Sequence, residues 1–420
     1  MVAELNSHAA PVDETATMTS AADVLTERLT PGPTRTRRPQ PRPTLNDVWM
    51  VLALAGPALV ALNASLASID LTYHLRLGEM IRATGSIPRA DSFTFSAPGE
   101  PWLDQQWLAQ LGLHLVHRLG GFEALVVIRA LAVTSISGCV YATCRSRGAG
   151  QRVSALATIG GFVVAMPYLS LRPQLLGAAC FAIAMFLVVS RHEGIGRLFL
   201  VPLLTLVWAN VHGSFVFAPA LVTFALIADL VSKDPRWRRC LLVLALTISA
   251  TCVTPWGAGA WGYALMIVSN DTIRSLVTEW VPPSLATPSG AIFLASLITM
   301  IVWLGRRTRA VAVLDLAWIA AFALLALTAH RNILWWGIAA APILAGWQSE
   351  HATATKTTRG SRALNVATLG IIGVALVATL PWWRSPSSLV SDIPSPTLMA
   401  ALNGSAEQGS ALLVHQPWAS

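Results

Sequence analysis

Asp70, Tyr73, His74 and Arg76 fall within seven residues, directly after the first long apolar run of the chain, and Asp91 follows in the same polar stretch. A carboxylate in such a place can take the proton of a hydroxyl nucleophile, and two can hold a divalent cation through their oxygens. Glu279 stands in Thr278-Glu-Trp-Val-Pro-Pro283, a further carboxylate beside a proline-stiffened turn. Arg172 and Arg331 each sit at the end of an apolar run, and a guanidinium matches phosphate oxygens two at a time. His74 and His212 can hydrogen-bond a sugar or a phosphate. Plainer readings exist for each: Asp70 as a helix cap, the arginines as headgroup anchors, the histidines as packed core groups. The residues alone leave both sets open.

The elements that must position these groups are set by composition. The chain has 420 residues, 54% of them hydrophobic and only 12% charged, with a mean hydropathy of +0.58. A soluble domain carries about twice that charged fraction. Apolar runs lie near 48–69, 122–143, 153–171, 174–190, 198–211, 214–232, 240–255, 290–305, 310–329, 333–348 and 363–383. Most are of a length to cross a hydrocarbon core, so the expected fold is an all-α integral membrane protein with about eleven transmembrane helices. The five cysteines show no paired metal-binding spacing and read as buried thiols.

Residues 1–45, rich in Thr, Ala and Pro and ending in an Arg-Pro stretch, read as a disordered, basic cytoplasmic tail. Most of the 29 Lys and Arg residues then fall on alternate connections, which places the N-terminus in the cytoplasm and the C-terminus outside the plasma membrane. The formal charge of +8 is therefore a matter of topology and gives no reason to expect nucleic acid as a partner. Within the membrane domain, 46–383, this topology puts loops 70–121 and 256–289 outside, with the turns that carry Arg172, His212 and Arg331. A short outer tail, 384–420, ends in a strand-like run and is read as cut short.

The first outer loop is expected to hold two interfacial helices. The first covers 70–84, ends at Gly85, and puts Asp70, Tyr73 and His74 on one face. A turn-rich piece and a short extended Phe93-Thr-Phe95 follow. The second helix, 102–118, places Trp107, Leu108, Leu111 and Leu115 towards the membrane and Gln106, Gln110, His114 and His117 away from it.

The pattern Asp70-x-x-Tyr-His74-Leu-Arg-x-Gly78, followed by Ile87-Pro-Arg-x-Asp91-Ser-Phe93, resembles the first outer loop of GT-C-type membrane glycosyltransferases. It is most similar to the bacterial protein-mannosyltransferase-like group and faintly similar to the catalytic subunit of oligosaccharyltransferase. Trp102-Leu-Asp-Gln-Gln-Trp-Leu108, Arg172-Pro173, Trp208-Ala-Asn-Val-His-Gly213, Thr254-Pro-Trp-Gly257, Glu279-Trp280 and Arg331-Asn332 extend the likeness over about 48–335. Two features depart from it: Gln105-Gln106 stands where related sequences often carry His or Glu, and the chain stops before the larger outer domain such proteins usually have.

The resemblance implies transfer of a sugar from a polyprenyl-phosphate carrier to a glycan or protein acceptor on the outer face. It puts Asp70 in the catalytic position, with Asp91 as second carboxylate; the two would also hold a divalent cation if one is used. His74, Arg172, His212, Glu279 and Arg331 are then the substrate-binding candidates. The competing classes are a transporter or flippase-like protein for a lipid-linked substrate, and a non-catalytic membrane protein with a degenerate site. A transporter calls for broken helices paired at mid-membrane, and no internal repeat of that kind is visible.

Overall fold

A computed structural model describes residues 43–66, 70–92, 98–194, 196–306, 311–349 and 361–391, with Thr397, Ala400, Ala401 and Gly404. The basic N-terminal tail, Phe93-Thr-Phe95 and the strand-like C-terminal run lie outside the described residues. In hydrocarbon each backbone N–H and C=O must be satisfied within the protein, and apolar runs of this length do so as helices. Helix is accordingly the regular element of the described chain, with one isolated β-bridge between Ala90 and Pro101. Among the described residues five helices are long and apolar enough to cross a membrane: Leu45–Asn63, Trp107–Ser146, Pro173–His192, Gly213–Val231 and Pro288–Gly305. The chain is a multi-pass helical membrane protein. Shorter helices occupy the other apolar runs, so eleven full spans are not established by length.

Helix α1 (Leu45–Asn63) opens on a capping box between Thr44 and Asp47. Its other end is closed by arginine. Arg129 donates to the carbonyls of Ala61, Ala64 and Ser65 at 2.6, 2.5 and 2.6 Å, and Arg384 to those of Leu62 and Asn63 at 3.0 and 3.1 Å. Those are the carbonyls a helix end leaves without an internal donor, and cationic donors suit the negative end of its dipole. The exit of the chain towards Asp70 is fixed by these contacts.

Helix α2 (Leu71–Thr84) runs as the sequence implies and stops at Gly85, whose φ of +66° is the left-handed end that glycine favours. Helix α3 (Trp107–Ser146) is two helices joined across a break at Gly120 and Gly121. Its first half corrects the expected second interfacial helix in boundary, and shows its polar face buried under α2 while the leucine face stays on the expected side. Residues 102–106 are not helical, and Asp104, Gln105 and Gln110 are buried while Leu115 is 40% exposed. The cause is Gly78: a Cβ there would overlap the Gln110 carbonyl and come within 2.6 Å of the His114 Cβ. α2 therefore seats on the polar face of α3, and the leucine face is left for the apolar surroundings that a membrane supplies.

The remaining helices are α4 (Gln151–Ala165), α5 (Pro173–Val189), α6 (Leu200–Val211), α7 (Phe217–Val231), α8 (Trp237–Thr251), α9 (Gly259–Ser269), α10 (Asp271–Leu276), α11 (Pro288–Gly305), α12 (Val313–Thr328), α13 (Ile333–Ser349), α14 (Arg362–Ala378) and the short α15 (Pro386–Leu389). α4 and α13 cross at glycine on glycine, where a Cβ on Gly337 would lie 2.7 Å from the Gly161 carbonyl. Close approach through small residues is how membrane helices gain dispersion contact without a hydrophobic drive between them. Phe181 of α5, Phe217 of α7 and Trp335 of α13 fill the centre, with ring centroids 4.8 to 5.5 Å apart. At one end of the bundle Arg147 pairs with Asp315 and Arg191 with Asp229, both at 2.6 Å. The helix ends and turns that carry the sequence candidates gather at the other.

Candidate functional site

Asp70 occupies the N-cap position of α2, yet its side chain makes no capping hydrogen bond. It turns instead to Arg172, whose Nε lies 3.4 Å from Asp70 Oδ2. The Arg172 Nη1 donates to Glu279 Oε1 at 2.5 Å, so one guanidinium bridges two carboxylates. Each of the three sits at a chain break: Asp70 before α2, Arg172 before Pro173 at the start of α5, and Glu279 in the turn Thr278–Trp280. Arg331 lies in the turn His330–Asn332, its guanidinium 4.7 Å from the Trp280 ring centre. Gln174 holds it from below, accepting from Arg331 Nη2 and donating to the Arg331 carbonyl, both at 3.4 Å.

A cavity of about 550 Å³ opens beside this group. Its lining includes the polar Arg274, Arg331, Gln105 and His212 and the apolar Ile267, Val268 and Leu325. A second cavity, of about 500 Å³ between α4, α11 and α13, is bordered by apolar and small residues without an ionisable group. The chemistry lies at the first.

His212 is placed by glycine. A Cβ on Gly177 of α5 would come within 2.7 Å of Ser214 Oγ and 3.0 Å of His212 Cβ, so only glycine lets the 212–214 turn close on α5. Burial, with the Arg331 and His74 charges behind it, pushes the His212 pKa down to about 3. Burial, aided by the Arg172 charge, likewise lowers His74 to about 4, so both imidazoles are neutral near pH 7. His74 packs edge-on to Tyr73, and its Nδ1 is buried without a hydrogen-bond partner. Asp91 is 8% exposed, in the turn whose backbone N–H donates to the Glu100 carbonyl at 2.9 Å. Burial, then the charge of Asp104, pushes the Tyr73 hydroxyl pKa up, with smaller shares from the charges of Asp91 and Asp70.

Asp104 is the group the sequence reading passed over. It is 4% exposed, with Oδ1 accepting from Gln110 Nε2 at 2.9 Å and Oδ2 buried without a partner. Desolvation pushes its pKa up to about 6 from 3.8, against the Gln110 hydrogen bond that lowers it. The folded state thus holds this proton more tightly than the unfolded chain does. Its contribution to stability is full below about pH 3.8 and is lost as the pH rises through about 6. His74 and His212 act the other way, losing stability as the pH falls below 6.5 towards their depressed values. Asp104→Asn, which keeps the Gln110 contact and removes the charge, is expected to raise the unfolding temperature of the detergent-solubilised chain by several degrees at pH 7.5. The gain, on the order of 2 kcal/mol, should vanish at pH 4. An equal offset at both pH values would rule the assignment out.

A divalent cation needs six or more oxygen ligands and a local excess of negative charge. Among the described residues no three His, Cys, Asp or Glu side chains come together to hold one. Asp70 and Glu279 are both engaged by Arg172, and Arg331 is close enough for its charge to interact with each carboxylate. Asp70 and Glu279 facing two guanidiniums are already neutral, so that pair does not fit a divalent ion; Asp91, the carboxylate expected to share a cation with Asp70, is not among these four groups.

No family model matches the chain, and no curated protein matches it in sequence. Among solved structures its fold is similar to that of the archaeal oligosaccharyltransferase AglB from Archaeoglobus fulgidus, solved in complex with an inhibitory peptide and a dolichol-phosphate. The TM-score is 0.50 at 11% identity, over 84% of this chain and 57% of that one. The likeness is one of fold, and at that level it agrees with the faint resemblance of the first outer loop to the catalytic subunit of oligosaccharyltransferase.

Proposed function

We propose that the chain is a membrane glycosyltransferase that moves a sugar from a polyprenyl-phosphate carrier to a glycan or protein acceptor on the outer face of the plasma membrane. In this reading the chain crosses the membrane about eleven times, with its N-terminus in the cytoplasm and its C-terminus outside. The observation that carries it is the cavity, whose lining combines the cations Arg331 and Arg274 with apolar side chains, Arg331 lying close enough to Asp70 for their charges to interact. A carrier lipid has the same division: a phosphate for the guanidiniums and isoprene units for Ile267, Val268 and Leu325. The fold likeness to a protein solved with a dolichol-phosphate supports a lipid-linked phosphate as the ligand.

Asp70 is the group to accept the acceptor hydroxyl proton, and Arg331 the group to hold the phosphate as it takes up charge on departure. Arg172 is assigned a different task from phosphate binding, because both its neighbours are carboxylates: it fixes Asp70 and Glu279 and balances their charge. The direct test is binding. In nanodiscs the full chain should bind a polyprenyl phosphate, and Arg331→Ala should weaken that binding about tenfold or more, as expected for a lost charge-assisted contact. Equal binding by wild type and Arg331→Ala would overturn the placement of the phosphate.

A further inference from the structure

Two polar groups on the cavity wall have their hydrogen-bonding sense fixed by the protein. Gln105 is 2% exposed, and its amide nitrogen donates to the Ala209 carbonyl at 2.7 Å. A carbonyl can only accept, so this end of the amide must be the NH₂ and the other end the oxygen. That oxygen, Oε1, is buried without a hydrogen-bond partner and borders Gly213, where a Cβ would lie 3.6 Å away. Both residues line the cavity.

His212 is fixed in the opposite sense. Its Nδ1 accepts from the Ser214 backbone N–H at 3.1 Å, which an N–H at that position could not do. Ser214 Oγ accepts from Trp208 Nε1 at 3.0 Å, leaving its own proton to point at Nδ1, 2.8 Å away. The ring proton of this neutral imidazole is therefore on Nε2, the edge that makes no hydrogen bond to the protein. The residues that line the cavity thus include one with a fixed, unused acceptor, Gln105 Oε1, and one with a fixed donor, His212 Nε2–H, the latter near enough to Arg331 for that charge to act on it.

We propose that Gln105 and His212 form a hydroxyl-reading subsite, which binds a hydroxyl of the sugar attached to the carrier phosphate. A hydroxyl gives its proton to Gln105 Oε1 and takes the His212 Nε2 proton on its lone pair. A phosphate oxygen has no proton for Gln105, and an ammonium has no lone pair for His212. The pair therefore discriminates by chemistry and not only by shape. The subsite rests on the reading of this cavity as the carrier site, and adds to it which part of the carrier is recognised.

The test uses the full chain in nanodiscs and three kinds of ligand: a bare polyprenyl phosphate, its hexosyl form, and a series of hexosyl forms each lacking one hydroxyl. Wild type should bind the hexosyl form about tenfold more tightly than the bare carrier, and one deoxy form should lose that gain. Gln105→Leu should bind parent and deoxy forms alike while keeping its affinity for the bare carrier. The deoxy series keeps the test valid should Gln105→Leu fail to fold. If the bare carrier binds but every deoxy form matches the parent, the subsite is overturned and the carrier reading stands. If Gln105→Leu weakens the bare carrier as much as the hexosyl form, Gln105 is not reading the sugar. Absence of binding by any carrier overturns both.

Discussion

Asp70→Asn is expected to lower sugar transfer by about a hundredfold to ten-thousandfold, the range for loss of a positioned proton acceptor. The fold should survive it. The Asp70 side chain is 45% exposed and pairs with Arg172 at 3.4 Å, and an ion pair of that kind contributes roughly 0–1 kcal/mol. An asparagine has the same shape, still offers an oxygen to Arg172 Nε, and removes only the charge and the basicity. The measurement is the amount of transferred glycan in the host, alongside the amount and unfolding temperature of the purified variant. Full glycan with Asp70→Asn would exclude this carboxylate as the base. Loss of glycan together with loss of the folded protein would point to a structural role, which the absence of any capping bond at Asp70 argues against.

How far the site could be read from the residues follows from what kind of contact each one makes. Asp70 was legible because it is the first ionisable group after a long apolar run, and the end of α2 because Gly85 supplies the left-handed turn. Both are local signals. The leucine face of α3 was legible in its amphipathic pattern, while the covering of its polar face by α2 was not. Beside a membrane the lipid takes the leucines, and polar groups such as Gln110 are turned in to pair with Asp104. Gly78, four residues after His74, was the available sign that another helix crosses there.

Asp104 and Gln105 stood within the quoted Trp102-to-Leu108 run, but burial is a tertiary property and no spacing rule announces it. Arg172 and Glu279 are 107 positions apart, so their pairing depends on how α5 meets the turn Thr278–Trp280. The residue types were visible, and the partner of each was not. That is why Arg172 was assigned to a phosphate and is found between two carboxylates, while Arg331, which faces an aromatic ring and a glutamine, is the one proposed for the phosphate.

Arg172→Ala should therefore do more than remove a cation. It leaves Asp70 and Glu279 facing each other across the space of a guanidinium, with Arg331 alone to balance them. Two such carboxylates attract a divalent ion, for which oxygen ligands and excess negative charge are the requirements. In a titration of the purified chain followed by Mn²⁺ electron paramagnetic resonance, wild type is expected to retain no ion that depends on Asp70. Arg172→Ala is expected to take up about one, lost again when Asp70→Asn is added. Transfer by Arg172→Ala should fall by about a hundredfold through misplacement of the base, as happens when a preorganised charge is removed from a site. Addition of Mn²⁺ should restore part of it, because an ion in the place of the guanidinium draws the two carboxylates together again. Stoichiometric Mn²⁺ uptake by wild type, abolished by Asp70→Asn, would show instead that Arg172 yields to a metal. The guanidinium would then be a placeholder for that ion and not its replacement.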